Sequence, residues 1–125
     1  MKTTAAHDRT TQLPHQAPHP DDSCCRAESQ PPAPDEAQVV VLTERLKALA
    51  DETRLRMLDL LSQHGDSLCV CEITEQFDLR QPTISHHLRL LREAALIRGE
   101  KRGTWMYYSA TDEGRRCMSL VRTLV

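Results

Sequence analysis

Five cysteines are the residues of this chain best suited to chemistry, and four of them fall in two close pairs. Cys24 and Cys25 are adjacent in "DDSCCRAE", and Cys69 and Cys71 are one residue apart in "SLCVCEITEQF". Thiolates are soft ligands for thiophilic ions, whereas hard ions prefer oxygen ligands. In a reducing compartment, cysteines in a small chain are more often metal ligands or redox thiols than structural disulfides. The two pairs are therefore candidate ion ligands or candidate members of a reversible thiol switch.

The second pair is predicted at the amino terminus of a short helix, capped by Ser67, that carries Ile73 and Phe77 on one side. A cysteine in that position has its thiolate favoured by the helix dipole. Residues i and i+2 of a regular helix point about 200° apart. Cys69 and Cys71 can therefore share one ion only if the first turn is unwound, and a third ligand must come from elsewhere. The alternative is that the two sulfurs do not act together.

Composition divides the chain near residue 36. Residues 1–36 hold three basic and six acidic side chains, together with six of the seven prolines. Such a segment cannot bury enough apolar surface to fold alone. We therefore expect a flexible, proline-rich amino-terminal arm over 1–36 that carries the Cys24–Cys25 pair, followed by a single folded domain over 37–125.

Several classes of protein are disfavoured by the sequence. No run reaches the roughly 18 apolar residues of a membrane span, and the amino terminus lacks the pattern of a signal peptide. A cytoplasmic protein without a membrane partner is expected. We find no nucleophile-and-base pair, no phosphate-binding loop and no paired acids. The sequence therefore predicts neither an enzyme nor a small organic substrate.

Apolar periodicity predicts short helices followed by a β-hairpin, a mostly α fold. Stripes of apolar residues mark three of the helices: Val39, Leu42, Leu46 and Leu49 in 37–50; Leu55, Leu58 and Leu61 after a cap at Asp51; and Ile84, Leu88, Leu91 and Ala95 after Pro82. "LIRGE" and "TWMYYSA" are predicted strands around "KRG", and a last helix is predicted from Asp112 to about Leu124. Two helices joined by a tight turn and followed by a hairpin form a winged helix-turn-helix.

Positive charge is concentrated where this fold would meet DNA. Between residues 80 and 102, six basic side chains accompany two acidic ones, although the whole chain has a net charge of −2. The second helix of such a pair enters the major groove, and its polar face supplies donors for base edges and phosphates. The candidate DNA-binding residues are Arg80, Gln81, Thr83, Ser85, His86 and Arg89 on that helix, with Lys101, Arg102 and Thr104 at the hairpin tip. His87 lies nearer the apolar stripe and is expected to pack.

Three segments together strongly resemble the ArsR/SmtB family of metal-responsive bacterial repressors. They are "LKALADETRLRMLDLL", "LCVCEIT" and "QPTISHHLRLLREAALIRGEKRGTWMYYSA", and the resemblance covers essentially all of 37–125. It implies a homodimer of winged helices that is paired mainly through the first and last helices. It also implies that the dimer occupies operator double-stranded DNA when metal-free and releases it when a toxic ion binds.

Within that family, "LCVC" resembles the branches that sense arsenic, antimony, cadmium and lead. Many arsenic sensors place a third cysteine just after this pair, where this chain has Thr74. Some relatives instead recruit an adjacent cysteine pair from an amino-terminal extension. The resemblance therefore implies a site of Cys24, Cys25, Cys69 and Cys71 with As(III) or Sb(III) as the inducer. Cd(II) or Pb(II) bound by four thiolates is the alternative, and a thiol-redox or persulfide switch is the remaining rival.

Zinc and cobalt sensors of the family commonly place Asp and His ligands on the last helix. The segment "TDEGRRCMSLVRTLV" contains no histidine, so that kind of site is not expected here. Cys117 stands alone on this helix and is expected to contribute to packing as a small apolar residue.

Overall fold

Five α-helices and three short β-strands make up the part of the chain that the computed structural model describes, residues 31–125. Their order is α1 (Glu36–Leu49), α2 (Glu52–Gln63), β1 (Leu68–Cys69), α3 (Val70–Glu75), α4 (Gln81–Glu93), β2 (Ile97–Arg102), β3 (Trp105–Ala110) and α5 (Asp112–Arg122). None of these helices has the length and apolar character needed to cross a membrane. The predicted arm over 1–36, with Cys24 and Cys25, lies almost wholly outside the described residues.

Side-chain caps determine where α1 and α2 begin. The Asp35 carboxylate accepts a hydrogen bond from the backbone N–H of Gln38, and the Asp35 N–H donates to the side-chain oxygen of Gln38. Asp51 accepts from the N–H of Arg54 at 3.0 Å, which confirms the predicted cap of α2. Such caps satisfy backbone donors that have no partner within the helix. Pro82 lies in the first turn of α4, where its missing N–H is not needed.

The predicted hairpin is present, but its turn is shorter than expected. β2 continues to Arg102, which pairs with Trp105, so that only two residues form the turn. Gly103 occupies the left-handed region there, with a φ of 65°, a conformation that glycine adopts without a steric penalty. β3 also pairs on its other side with β1, which gives a three-stranded antiparallel sheet in the order β1-β3-β2. The sequence did not predict this third strand.

The core is aliphatic and lies between α2, α4 and the sheet. Its fully enclosed side chains are Met57, Leu58, Leu61, Ile73, Ile84, Leu88, Leu91, Leu96 and Ile97. The predicted stripe of α4 is confirmed at its first three positions, whereas Ala95 is exposed beyond the end of the helix. Burial of these side chains supplies the main stabilisation of the described domain.

The predicted apolar stripe of α1 reaches this core only at Leu49, and its first three residues do not face it. Val39, Leu42 and Leu46 are 45%, 46% and 59% exposed, and only Ala48 and Leu49 of the helix are buried. The helix itself was correctly predicted. Within the described residues, the side of α1 that carries Val39, Leu42 and Leu46 lies open to solvent.

Candidate functional site

The sulfur atoms of Cys69 and Cys71 lie 2.9 Å apart. Cys69 ends β1 with an extended backbone, at φ −69° and ψ 149°, and α3 begins at the next residue. The pair therefore spans a strand-to-helix junction, and the divergence expected for two residues of one helix does not arise. The predicted cap at Ser67 is wrong, because Ser67 precedes the strand and its hydroxyl accepts a hydrogen bond from Arg102 instead.

Hydrogen bonds hold this junction and shift the pKa of the Cys71 thiol. The N–H of Cys69 donates to the Glu72 carboxylate at 2.7 Å, which fixes the buried member of the pair. Cys71 is exposed, and both residues are free thiols. The hydrogen bond that the Cys71 thiol donates to Cys69 raises the pKa of Cys71 above its ordinary value of 9.0, and backbone hydrogen bonds that lower the pKa do not outweigh it. An ion bound here must therefore displace a proton.

Within the described residues, this junction supplies two soft ligands, which do not make a complete set of metal ligands. No group of three or more His, Cys, Asp or Glu side chains within residues 31–125 is arranged to hold a metal ion. Cys117 is half-buried on α5 and packs against the hydrophobic core. Cys24 and Cys25, the predicted further ligands, lie outside the described residues.

The candidate DNA-binding residues of α4 share one exposed surface. All six predicted side chains are exposed along the helix and at the residue preceding it: Arg80, Gln81, Thr83, Ser85, His86 and Arg89. On this surface Arg89 donates to Glu93 at 3.1 Å, and its other terminal nitrogen lies 3.0 Å from Nδ1 of His86. Because these contacts are exposed, they are weak enough to exchange for contacts with phosphate.

His87, the neighbour of His86, points inward and makes a polar contact that the sequence did not predict. Its Nδ1 lies 3.2 Å from Nη1 of Arg54 and 4.0 Å from a carboxylate oxygen of Asp51. A guanidinium can only donate, so Nδ1 must accept and the imidazole must be neutral. Burial lowers the pKa of His87 below its ordinary value of 6.5, which favours the same neutral form.

At the hairpin, which we call the wing (residues 97–110), Lys101 and Thr104 are exposed at the tip as predicted. Arg102 is also half exposed, but it turns back toward the body of the domain. Its Nη2 donates to the hydroxyl of Ser67 and to the Glu100 carboxylate, each at 3.1 Å. Its guanidinium carbon lies 4.5 Å from the centroid of the Tyr107 ring. Arg102 therefore links the wing to the residues that precede Cys69.

Trp105, which starts β3, was absent from the candidates and is 50% exposed. An indole ring exposed beside the wing tip offers an apolar surface and one N–H donor. Side chains of a strand alternate between its two faces, and this alternation along β3 was the signal that could have placed Trp105 on the face toward solvent.

Comparison with known proteins identifies the domain. Residues 51–98 match the model of the family described as bacterial regulatory protein, arsR family. An HTH-type transcriptional regulator of Methanocaldococcus jannaschii is 46% identical over 70 residues, which are 56% of this chain and 78% of that protein. The arsenical resistance operon repressor of Bacillus subtilis is also 46% identical over 70 residues, 56% of this chain and 66% of that protein.

Two further similarities bear on the class of ion and on the oligomeric state. A homologue of a cadmium resistance transcriptional regulatory protein from Staphylococcus aureus is 42% identical over 54% of this chain. The match spans 54% of that relative, so this chain covers only about half of its length. The homodimeric winged helix-turn-helix DNA-binding domain of a possible ArsR-family regulator from Mycobacterium bovis superposes with a TM-score of 0.65 and is 28% identical. That match covers 76% of this chain and 89% of the other.

Proposed function

Because the chain belongs to the arsR family of bacterial regulatory proteins, we propose that it is a transcriptional repressor released from operator DNA by trivalent arsenic or antimony. In this proposal the ion binds to cysteine thiolates and not to a site of oxygen ligands. The observation that carries it is the 2.9 Å separation of the Cys69 and Cys71 sulfurs, which presents two soft ligands at one point.

The proposed ion follows from the number and softness of the available thiols. As(III) and Sb(III) are thiophilic, and a compact set of three thiolates suits them. Cys69 and Cys71 provide two, and either cysteine of the adjacent Cys24–Cys25 pair provides the third. The arsenical resistance repressor of Bacillus subtilis, at 46% identity, supports this ion class. Cd(II) or Pb(II) held by all four thiolates is the alternative, supported by the cadmium-resistance relative.

The length of chain between the arm cysteines and α1 sets how far the arm thiols could extend. Cys25 precedes Glu36, the first residue of α1, by eleven positions. A proline-rich segment extends about 3.1 Å per residue, so this length spans up to about 34 Å. Reach does not decide which subunit supplies the other thiols, and in this proposal the site lies between subunits, with arm thiols from one chain and thiols of the Cys69–Cys71 pair from the other.

A homodimer is part of the proposal. In this dimer a second copy would cover the exposed apolar residues of α1 and Leu120 on α5, which is 63% exposed. The similar Mycobacterium bovis domain is itself homodimeric. In such a dimer, two α4 helices would reach two half-sites about 34 Å apart, with the wings on neighbouring phosphates.

The test of this function is a titration of the reduced, full-length protein. Arsenite, antimonite, cadmium, lead and zinc are added in competition under anaerobic conditions, while thiolate charge-transfer absorption and operator binding are followed together. We expect arsenite or antimonite to bind most tightly and to release the operator without an oxidant. Preferential release by cadmium or lead would identify the alternative ion class, and release by zinc alone would contradict the thiol site.

Mixed dimers test the placement between subunits. One subunit carries Cys24→Ser and Cys25→Ser, and its partner carries Cys69→Ser and Cys71→Ser. A site shared between subunits leaves one intact ligand set in this heterodimer, so one equivalent of arsenite should bind. A site within one chain leaves none, and the absence of tight binding beside a competent wild-type control would exclude sharing.

A thiol switch is the second candidate, because the same 2.9 Å separation favours it. A disulfide has a sulfur–sulfur bond of about 2.05 Å, so a small approach would join the two atoms. Oxidation by peroxide would remove one hydrogen from each thiol, form the S–S bond and yield two molecules of water. Operator release that requires peroxide and is reversed by a reductant would favour this mechanism over ion binding.

A further inference from the structure

The strand that carries the first thiol pairs directly with β3 of the wing, and one residue of β3 lies between Cys69 and β2. Across the β1–β3 pair Cys69 is opposite Tyr107, and across the β3–β2 pair Tyr107 is opposite Glu100. Antiparallel neighbours in such a register move together, because their backbones are joined by hydrogen bonds. A displacement of Cys69 therefore reaches the wing at Tyr107 and passes from there to β2.

The side chain of Arg102 makes a second connection between the same two places. Its guanidinium lies over the Tyr107 ring, with 4.5 Å from the guanidinium carbon to the ring centroid. It also donates to the hydroxyl of Ser67, two residues before Cys69. The ring and the hydroxyl together hold the arginine toward β1. Because the side chain of Arg102 is 52% exposed, it remains accessible to a phosphate.

We propose that Tyr107 is a positioning residue that couples the thiol pair to the wing by orienting Arg102 for contact with DNA phosphate. This inference rests on the proposed function. An ion bound by Cys69 and Cys71 fixes the end of β1 in a new place, and Ser67 and the Tyr107 ring move with it. Arg102 is then no longer held beside β1, the position from which it contacts phosphate in this proposal, and operator affinity falls without any movement of α4.

The experiment measures the ratio of operator dissociation constants with and without arsenite, using the reduced full-length protein. Tyr107→Leu removes the ring, whereas Tyr107→Phe keeps it and removes only the hydroxyl. We expect Tyr107→Leu to bind arsenite with wild-type affinity and to reduce the ratio about two- to fivefold, which corresponds to one exposed cation–π contact. Tyr107→Phe should keep the wild-type ratio.

A second variant keeps the test decisive if Tyr107→Leu does not fold. Arg102→Lys retains the positive charge but loses the planar group that stacks on the ring and donates to Ser67. It should reduce the ratio to a similar extent. Arsenite affinity, followed by thiolate absorption, should stay unchanged in both variants, since neither alters a proposed ligand.

Three outcomes would overturn the coupling. An unchanged ratio in Tyr107→Leu or Arg102→Lys would show that Arg102 does not transmit ion binding. If arsenite affinity falls in parallel with the ratio of operator dissociation constants, Tyr107 has only a structural role at the ion site. If no thiophilic ion changes the operator affinity of the wild-type protein, the proposed function is overturned together with this coupling. The two failures are therefore distinguishable.

Discussion

Arg54 of α2 donates to His87 of α4 across 3.2 Å, and this contact requires a neutral imidazole. Arg54 also donates to the carbonyl of Ala48 at 2.7 Å, so one guanidinium joins the end of α1 to the proposed DNA-reading helix. Protonation of His87 would remove the acceptor and place two cations side by side. The position of α4 therefore depends on the charge of a histidine that does not face the DNA.

We predict that the domain loses stability as the solution is acidified below pH 6.5. Burial and the positive charge of Arg54 lower the pKa of His87 in the folded chain, and the nearby Asp51 opposes this shift without cancelling it. The unfolded chain therefore binds the proton more readily. The stability contribution of neutral His87 is present above the unfolded pKa and is lost as the pH falls through the folded pKa.

Urea unfolding between pH 7.5 and pH 5.5 measures this effect. His87→Asn retains an acceptor near the position of Nδ1 but does not titrate, so its loss of stability with acidification should be smaller than that of the wild type. The matched control is His86→Asn, which changes an exposed neighbour and should follow the wild type. Equal pH dependence in all three proteins would contradict the assigned role of His87.

Removal of either thiol at the strand-to-helix junction should abolish the response to arsenite. Cys71→Ser is the cleaner change, because Cys71 is exposed while Cys69 is 6% exposed. Loss of a direct ligand should weaken arsenite binding by at least about tenfold, the lower limit usual for residues that only support a ligand. Operator binding without the ion should persist. Cys117→Ser is the control, and a comparable loss in that variant would move the site away from the junction.

Substitutions on α4 and the wing should weaken operator binding and reduce its dependence on salt. Arg89→Ala should lower affinity, and so should Lys101→Ala combined with Arg102→Ala. Each lost phosphate contact should reduce the slope of log affinity against log salt by about 0.9. Arg56→Ala on α2 removes an exposed arginine paired with Glu52 and serves as the control. If the Arg89 and wing variants behave like that control, the DNA surface lies elsewhere.

Ala95→Gly should stabilise the domain by about 0.5–1 kcal/mol, because Ala95 has a φ of 62° that a Cβ atom disfavours. The N–H of Ala95 donates to the Arg92 carbonyl and that of Leu96 to the Leu91 carbonyl. This is the arrangement in which a helix usually ends with glycine. Thermal unfolding measures the gain. Ala94→Gly, at a residue with a φ of −86°, should not stabilise, and a gain there would assign the effect to something other than left-handed strain.

Gly114→Ala should destabilise the docking of α5 by about 1–3 kcal/mol, the usual cost of overpacking. A Cβ atom at this residue would lie 2.0 Å from the carbonyl oxygen of Leu96, which is backbone and cannot turn aside. Gly65→Ala is the matched control, since its Cβ would meet no atom within 4 Å. Equal midpoints of chemical denaturation for the two variants would show that α5 adjusts its position freely.

The sequence predicted the features that depend on nearby residues. The stripe of Ile84, Leu88 and Leu91 repeats within one helix, and the cap at Asp51 acts on a residue three positions later. Such signals are contained in a few turns of chain. The helices and the hairpin were therefore predicted to within a few residues.

The features that the sequence did not predict depend on residues far apart in the chain. β1 has only two residues, too few for an alternating pattern, and it exists because Leu68 and Cys69 pair with β3 about forty positions later. The contact between Arg54 and His87 joins residues 33 positions apart. The close approach of the Cys69 and Cys71 sulfurs follows from that same short strand, because it ends the extended backbone at the first cysteine.

The open apolar face of α1 makes the proposed response depend on how many copies of the chain a cell holds. If Val39, Leu42 and Leu46 are covered only by a second copy, pairing is bimolecular. Below the dissociation constant for pairing, the population of dimers falls with the square of the total concentration. Halving the concentration of the chain would then leave about a quarter of the dimers. Repression of the promoter would therefore be lost steeply at low expression, even before any ion is bound.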